Sequence, residues 1–171
     1  MFRFICSLAI LLLVGCGKIT LPLNSYDRLY NSLISLPNAN TKEAKILTKD
    51  ILNYSNHLKA KYHPIIEPHF NNFLVNIGIQ KQGLCYEWSD ALYLHLLSKH
   101  YKHYKFHLIV SNKGKYWSEH NALAITTPNT PIQQAIIIDL WRKIDDIYIN
   151  QVNKDDEYRW IQRVEREIIR I

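Results

Sequence analysis

One cysteine, one histidine and one aspartate follow each other in an order that could support covalent catalysis. Cys85 is the only one of three cysteines outside the apolar N-terminal region, so it has no disulfide partner in the rest of the chain. His120 follows 35 residues later and Asp139 a further 19. A thiolate is a nucleophile, a histidine can accept its proton, and a carboxylate can orient that histidine. These residues therefore predict nucleophilic acyl-transfer chemistry.

The predicted secondary structure places all three residues at the ends of elements. Cys85 begins a predicted helix, where free backbone N–H groups and the helix dipole favour a thiolate. His120 begins a strand predicted over 120–126, and Asp139 lies near the end of an apolar strand predicted over 135–141. A carboxylate at that point is costly unless it has a partner. If the two strands are neighbours, Asp139 can hold one ring nitrogen of His120 while the other nitrogen faces Cys85.

Hydrophobic periodicity predicts an α+β fold, with N-terminal helices packed on an antiparallel sheet. The predicted elements are helices over 26–34, from Asn40 as N-cap to Pro64, over 70–78 and over 85–100, strands over 106–110, 120–126 and 135–141, and a tail helix over 155–171. Asn40 with Glu43 three residues later forms a capping-box pattern. Hydrophobic residues make up 47% of the chain, which argues against disorder and favours one domain with a core.

The N-terminus carries the pattern of an exported bacterial protein. Arg3 precedes an apolar run that ends at Val14, which predicts a secretory signal too short to span a bilayer. The closing tetrad Leu-Val-Gly-Cys, ending at Cys16, resembles the lipobox at which a peptidase cuts before the cysteine is acylated. An uncleaved anchor helix or an ordinary signal peptide is the alternative. The predicted organisation is a signal over 1–15, a lipidated tether over 16–24 and a single domain over 25–171.

This organisation predicts a lipoprotein of the bacterial cell envelope, held on a membrane by acyl chains on Cys16. Gly17 is not the aspartate that retains some lipoproteins at the inner membrane, so the outer membrane is favoured where one exists. The formal charge of +6 comes from scattered basic residues, which predicts a solvated surface. Weak affinity for anionic lipid or cell-wall polymer fits this charge, whereas nucleic-acid binding is not predicted.

The ordered trio resembles the transglutaminase-like branch of the papain-like cysteine enzymes. That family has a glycine shortly before a cysteine that opens a helix, then a histidine on one strand, then an aspartate on the next strand followed by a tryptophan. The matching blocks, within roughly residues 80–142, are Gly83-Leu84-Cys85, His120-Asn121-Ala122 and Ile138-Asp139-Leu140-Trp141. Two positions depart from the pattern, because Ala122 replaces a frequent aromatic residue and Leu140 a frequent proline.

The resemblance implies a papain-like fold in which the thiolate attacks an amide carbonyl and forms a thioester, without a metal or another cofactor. Its substrate would be a protein, a peptide or a cell-wall peptide. Hydrolysis and amine transfer both stay open, as does the oligomeric state. The reaction also needs an oxyanion donor. The backbone N–H of Cys85 is the first candidate, and the side chain of Gln82 is a second, unless Gln82 is a solvated loop residue.

Each of these residues also has an ordinary structural interpretation. Cys85 could be a small buried hydrophobe, and Asp139 could end a turn or pair with Arg142. The chain would then be a binding or structural lipoprotein that keeps the fold without turnover. Histidines that could bind zinc or copper cluster at His95, His100, His103 and His107. Their positions cross a helix end, a loop and a strand among lysines, which favours a basic, partly solvated helix end.

Overall fold

The computed structural model describes residues 21–65, 67–115 and 117–164. The predicted signal, the predicted acylation site Cys16 and residues 165–171 of the predicted tail helix lie outside these ranges. The elements in chain order are α1 (Ser25–Ile34), α2 (Thr41–Tyr62), α3 (Pro68–Asn76), α4 (Cys85–Leu97), β1 (Lys105–Ser111), β2 (His120–Thr126), β3 (Ile136–Asp139), β4 (Tyr148–Gln151) and β5 (Ile161–Gln162). Within the described ranges, no helix is both long enough and apolar enough to cross a membrane.

The five strands form one antiparallel sheet in the order β4-β3-β2-β1-β5, so the fold is α+β as predicted. Strands β1 and β2 form a hairpin in which Ser111 pairs with His120, and Leu123 of β2 pairs with Ile138 of β3. Every residue of β2 is buried. One face of the sheet packs against the helices, and residues such as Ala124 on the other face pack against a smaller cluster. Burial on both faces explains the nearly continuous apolar sequence of β2 and β3.

Helix α2 begins as the sequence predicts, because the side chain of Asn40 accepts a hydrogen bond of 2.9 Å from the backbone N–H of Glu43. The Glu43 side chain, which forms the other half of the predicted capping box, bonds a different residue. The carboxylate of Glu43 accepts from the backbone and the ring of His103, at 2.8 and 2.9 Å. Glu43 therefore joins the start of α2 to the loop before β1.

Two predicted boundaries are too long. Helix α4 ends at Leu97 instead of residue 100, and His100 adopts a left-handed backbone with φ of 55°. Strand β3 ends at Asp139 instead of residue 141. The reason lies in the Asp139 side chain, whose Oδ1 accepts from the backbone N–H groups of Trp141 and Arg142 at 3.1 and 3.0 Å and turns the chain.

The predicted tail helix is wrong over its described part, residues 155–164. This segment is irregular and leads into β5, which pairs with β1 through Ile109 and Gln162. Asp155 holds the segment in place, because its carboxylate accepts from Trp160 Nε1 at 2.8 Å and from Arg142 at 2.8 Å. Pairing with β1 also covers part of an edge that would otherwise expose unpaired backbone groups.

Candidate active site

The turn before Cys85 is closed by the side chain of Glu87. One oxygen of this carboxylate accepts from the backbone N–H groups of Gly83 and Leu84, at 2.6 and 2.9 Å. The chain then enters α4 with Cys85 as its first residue. The first N–H groups of a helix have no acceptor within the helix, so the N–H of Cys85 can donate to a bound group.

Two buried side chains also hold this turn through the carbonyl of Gly83. The carbonyl of Gly83 accepts from Asn71 Nδ2 at 3.1 Å and from Trp88 Nε1 at 3.2 Å. Gly83 has a φ of 125°, and a Cβ at this position would lie 2.6 Å from Asn71 Nδ2. The turn that presents Cys85 therefore requires glycine for both its backbone conformation and its close approach to Asn71.

Replacing Gly83 with alanine is expected to destabilise the protein by about 2–4 kcal/mol, because backbone strain and a steric clash combine. Gly78→Ala is the matched control. Gly78 also has a positive φ, of 77°, but a Cβ there meets nothing within 4 Å. We expect a cost of only about 1 kcal/mol for this variant. Urea denaturation followed by circular dichroism measures both, and equal costs would contradict a tightly packed turn.

The sulfur of Cys85 lies between two groups of strand β2 and the loop before it. Cys85 is 7% exposed; its thiol lies 3.9 Å from the carbonyl oxygen of Glu119, and Asn121 Nδ2 lies 3.8 Å from the sulfur. The orientation of Asn121 is set by Arg163, which donates to its Oδ1 at 2.8 Å. An amide N–H that points at the sulfur stabilises the thiolate more than the thiol. No sequence pattern assigns a role to Asn121, although it is the neighbour of His120.

His120 and Asp139 form a buried pair across strands β2 and β3. The distance from His120 Nε2 to Asp139 Oδ2 is 2.6 Å, and the two side chains are 3% and 1% exposed. Burial disfavours the charged imidazole. The carboxylate of Asp139 outweighs this effect and, with a smaller contribution from Cys85, raises the pKa of His120 to about 9. The imidazole is therefore protonated at neutral pH.

The second ring nitrogen of His120, Nδ1, is buried and has no partner with hydrogen-bond geometry among the described residues. His120 and Cys85 line the same cleft, and the Cys85 side chain contributes to the raised pKa of His120. Nδ1 is therefore the nitrogen available to the thiol. The structure brings together Cys85, His120 and Asp139, which lie far apart in the sequence.

Asp139 combines the two roles that the sequence left as alternatives. It accepts from His120, and its Oδ2 also accepts from Arg142 Nε at 3.3 Å. Burial raises the pKa of Asp139, but His120 and Arg142 outweigh this effect and hold the pKa of the carboxyl below its usual value. The arginine therefore supports the carboxylate in its charged form.

Three aromatic rings surround the imidazole of His120. Their centroids lie 4.9 Å away for Trp141, 4.6 Å for Tyr158 and 5.5 Å for Trp160. Trp141 belongs to the aspartate block that resembles the family pattern, whereas Tyr158 and Trp160 lie within the incorrectly predicted tail helix. These rings keep water from the imidazole–carboxylate pair and so strengthen the attraction between its charges.

A cleft of about 130 Å³ opens beside the thiol. Its lining consists of His69, Asn72, Cys85, Asn112, Trp117, Ser118, Glu119, His120, Trp141 and Tyr158. Gln82, the predicted oxyanion candidate, is half-buried and does not belong to this lining. Asn72 does, although the sequence pattern gave no reason to select it.

The clustered histidines have separate partners. His95 bonds Asp50 at 2.8 Å, and His107 bonds Thr126 at 2.8 Å, while His103 bonds the carboxylate that caps its own loop. Among the residues that the structure describes, no group of three or more histidine, cysteine or acidic side chains could hold a metal ion. The contacts of these histidines therefore join α4 to α2, the loop before β1 to α2, and β1 to β2.

In comparisons with known proteins, no family model, no curated protein and no solved structure matches this chain. The function must therefore be argued from the geometry of its own residues.

Proposed function

We propose that this chain is a thiol acyl-transfer enzyme that acts on amide bonds through Cys85, His120 and Asp139. The observation that carries the proposal is the buried imidazole of His120, which is bonded to Asp139 through Nε2, leaves Nδ1 without a partner among the described residues, and lines the same cleft as Cys85. A catalytic nucleophile needs a base that is held in orientation by a third group. An ordinary buried cysteine needs neither.

The proposed reaction starts from a thiolate–imidazolium pair. The sulfur of Cys85 attacks the carbonyl carbon of the amide, an S–C bond forms, and the carbonyl electron pair moves to oxygen. The tetrahedral intermediate collapses, the C–N bond breaks, and His120 donates its proton to the leaving nitrogen. Water or an amine then attacks the thioester while His120 takes the incoming proton. The C–S bond breaks, the acyl product leaves, and the thiolate–imidazolium pair is restored.

The arrangement of elements supports a transglutaminase-like, papain-like assignment of the fold. The thiol opens a helix that packs against an antiparallel sheet, and the histidine and the aspartate lie on neighbouring strands. We further propose that the enzyme is a lipoprotein of the bacterial cell envelope, acylated at Cys16 and favouring the outer membrane. Proteins, peptides or cell-wall peptides in that compartment would be its substrates.

Alkylation of Cys85 by iodoacetamide tests the proposed ion pair. At pH 6 an ordinary thiol is less than about 1% ionised, whereas a thiol paired with an imidazolium is mostly thiolate. The wild-type protein is therefore expected to react about 100-fold faster at pH 6 than His120→Ala, whose rate should rise only as pH approaches about 8. Mass spectrometry of the peptide that contains Cys85 measures the rate in the full-length chain in detergent.

His107→Ala is the matched control, because His107 is also a histidine on a strand but is only half-buried and bonds Thr126 instead of the site. It should leave the alkylation rate of Cys85 within about twofold of the wild type, as expected for a residue outside the pair. Slow labelling of the wild type at pH 6, with no dependence on His120, would rule out the ion pair. The chain would then be better described as a binding or structural lipoprotein.

A further inference from the structure

The side chain of Asn72 has a defined orientation in the cleft. The indole nitrogen of Trp141 lies 3.0 Å from Asn72 Oδ1. An indole N–H can only donate, so the amide oxygen of Asn72 must face Trp141 and its amide nitrogen must point elsewhere. No described residue accepts a hydrogen bond from that nitrogen. Asn72 therefore presents an N–H₂ group without a protein acceptor in the cleft that contains Cys85 and His120.

Helix α3 is hydrogen-bonded to both walls of this cleft. Asn71, which is fully buried, bonds the Gly83 carbonyl in the turn that presents Cys85. Its neighbour Asn72 bonds Trp141, two residues after Asp139. These bonds tie the helix to both the nucleophile and the His–Asp pair. A donor carried on such an element is positioned before the substrate binds, which is what electrostatic stabilisation of a transition state requires.

We propose that Asn72 Nδ2 is the second oxyanion donor of the acyl transfer, acting together with the backbone N–H of Cys85. This inference rests on the proposed function. When the thiolate attacks, the carbonyl oxygen gains a negative charge, and both donors bind that oxygen without transferring a proton. When the intermediate collapses, the charge returns to the carbonyl and the bonds weaken. Asn72 thus takes the role for which Gln82 was one candidate in the sequence.

The test compares two reactions of the same thiol in the full-length protein. Acylation by p-nitrophenyl acetate passes through an oxyanion and releases p-nitrophenolate in a burst, whereas alkylation by iodoacetamide displaces iodide and forms no oxyanion. Asn72→Ala is expected to slow the burst by about 10²–10³-fold, as removal of one oxyanion donor does. Alkylation at pH 6 should stay within about twofold of the wild type, because the ion pair is intact.

Asn72→Asp separates catalysis from structure. A carboxylate oxygen can still accept from the Trp141 indole, but the donor is lost and a negative charge faces the oxyanion. We expect acylation by this variant to be at least as slow as by Asn72→Ala. Gln82→Ala, which alters the other candidate, should acylate at the wild-type rate.

Three results would overturn the inference. The first is acylation of Asn72→Ala at the wild-type rate. The second is acylation of Asn72→Asp at the wild-type rate, because Asn72 would then matter only as an acceptor for the Trp141 indole. The third is a parallel loss of acylation and alkylation in Asn72→Ala, because the residue would then act on the thiol. Failure of the proposed function looks different: the wild type itself would give no burst and would alkylate slowly at pH 6, and the inference would fall with it.

Discussion

Asp139→Asn is expected to lower the rate of acylation at pH 7 by about 10³–10⁴-fold, a loss similar to that seen when other nucleophile–histidine sites lose their carboxylate. The carboxylate overcomes the effect of burial and raises the pKa of His120 to about 9. Without its charge, burial favours the neutral imidazole, so the thiolate loses its counter-ion. The p-nitrophenyl acetate burst measures this loss. Alkylation at pH 6 should also fall, by no more than the factor of about 100 expected for His120→Ala, because the ion pair is lost but the thiol remains.

The same variant should have a distinct dependence of stability on pH. His120 has a raised pKa, so its contribution to stability is complete below about pH 6.5 and is lost as pH rises through about 9. Asp139 has a lowered pKa, so its contribution is present above the ordinary carboxyl range and is lost as pH falls. The free energy of unfolding of the wild type should therefore exceed that of Asp139→Asn most at mildly acidic pH, and the difference should shrink on both sides.

Asp156→Asn is the control for this experiment, because Asp156 is exposed and close in sequence to the segment that covers the site. It should leave the burst, the alkylation rate and the pH dependence of unfolding unchanged. A constant difference in stability between the wild type and Asp139→Asn from pH 4 to pH 10 would show that the charge of Asp139 does not hold the proton on His120.

Local sequence patterns were sufficient for the coarse fold. The predictions of an N-cap at Asn40 and of an antiparallel sheet behind a helix that begins at Cys85 agree with the structure. These features depend on neighbours in sequence: a capping side chain reaches three residues, and burial on one face produces a regular spacing of apolar residues. Strand β4 was missed because its four residues are only half-buried and give no such spacing.

The tail illustrates what local patterns cannot show. The spacing of Trp160, Ile161 and Val164 fits a helix, yet Ile161 and Val164 are exposed and Trp160 packs beside His120. The conformation depends on Asp155, whose partner Arg142 lies 13 residues earlier, and on an open edge of β1. Tertiary contacts of this kind override a weak helical preference, and they are not encoded in the spacing of the segment itself.

The site residues also divide into those that local sequence patterns reveal and those whose roles depend on tertiary contacts. A thiol at a helix start and a carboxylate ending an apolar strand can be selected from the sequence, because their types are unusual at those places. Asn72 and Asn121 are common polar residues whose roles depend on which atom faces the cleft. Trp141 and Arg163 decide that orientation, and both contacts join segments at least 42 residues apart.

Arg142→Met is expected to destabilise the protein by about 3–5 kcal/mol, because it removes one partner from buried charges. The guanidinium is 9% exposed and pairs with Asp139 and Asp155, both 1% exposed. It also lies 3.7 Å above the ring of Tyr148, so methionine can retain part of the packing but none of the charge. Loss of the contact with Asp155 should also loosen the segment that places Tyr158 over His120. Urea denaturation measures the free energy of unfolding.

Arg28→Met provides the comparison, because Arg28 pairs with Asp146 at 2.7 Å but is 39% exposed. Solvent screens such a pair, so its loss should cost about 1 kcal/mol or less.

The double variant Arg142→Met/Asp155→Asn should recover about 1 kcal/mol or more of the stability lost in Arg142→Met, because it neutralises the carboxylate that the single variant leaves without its cation. If Arg142→Met cost no more than Arg28→Met, burial would not be what makes Arg142 important. Equal stability of the single and double variants would mean that the loss comes from packing on Tyr148 and not from charge.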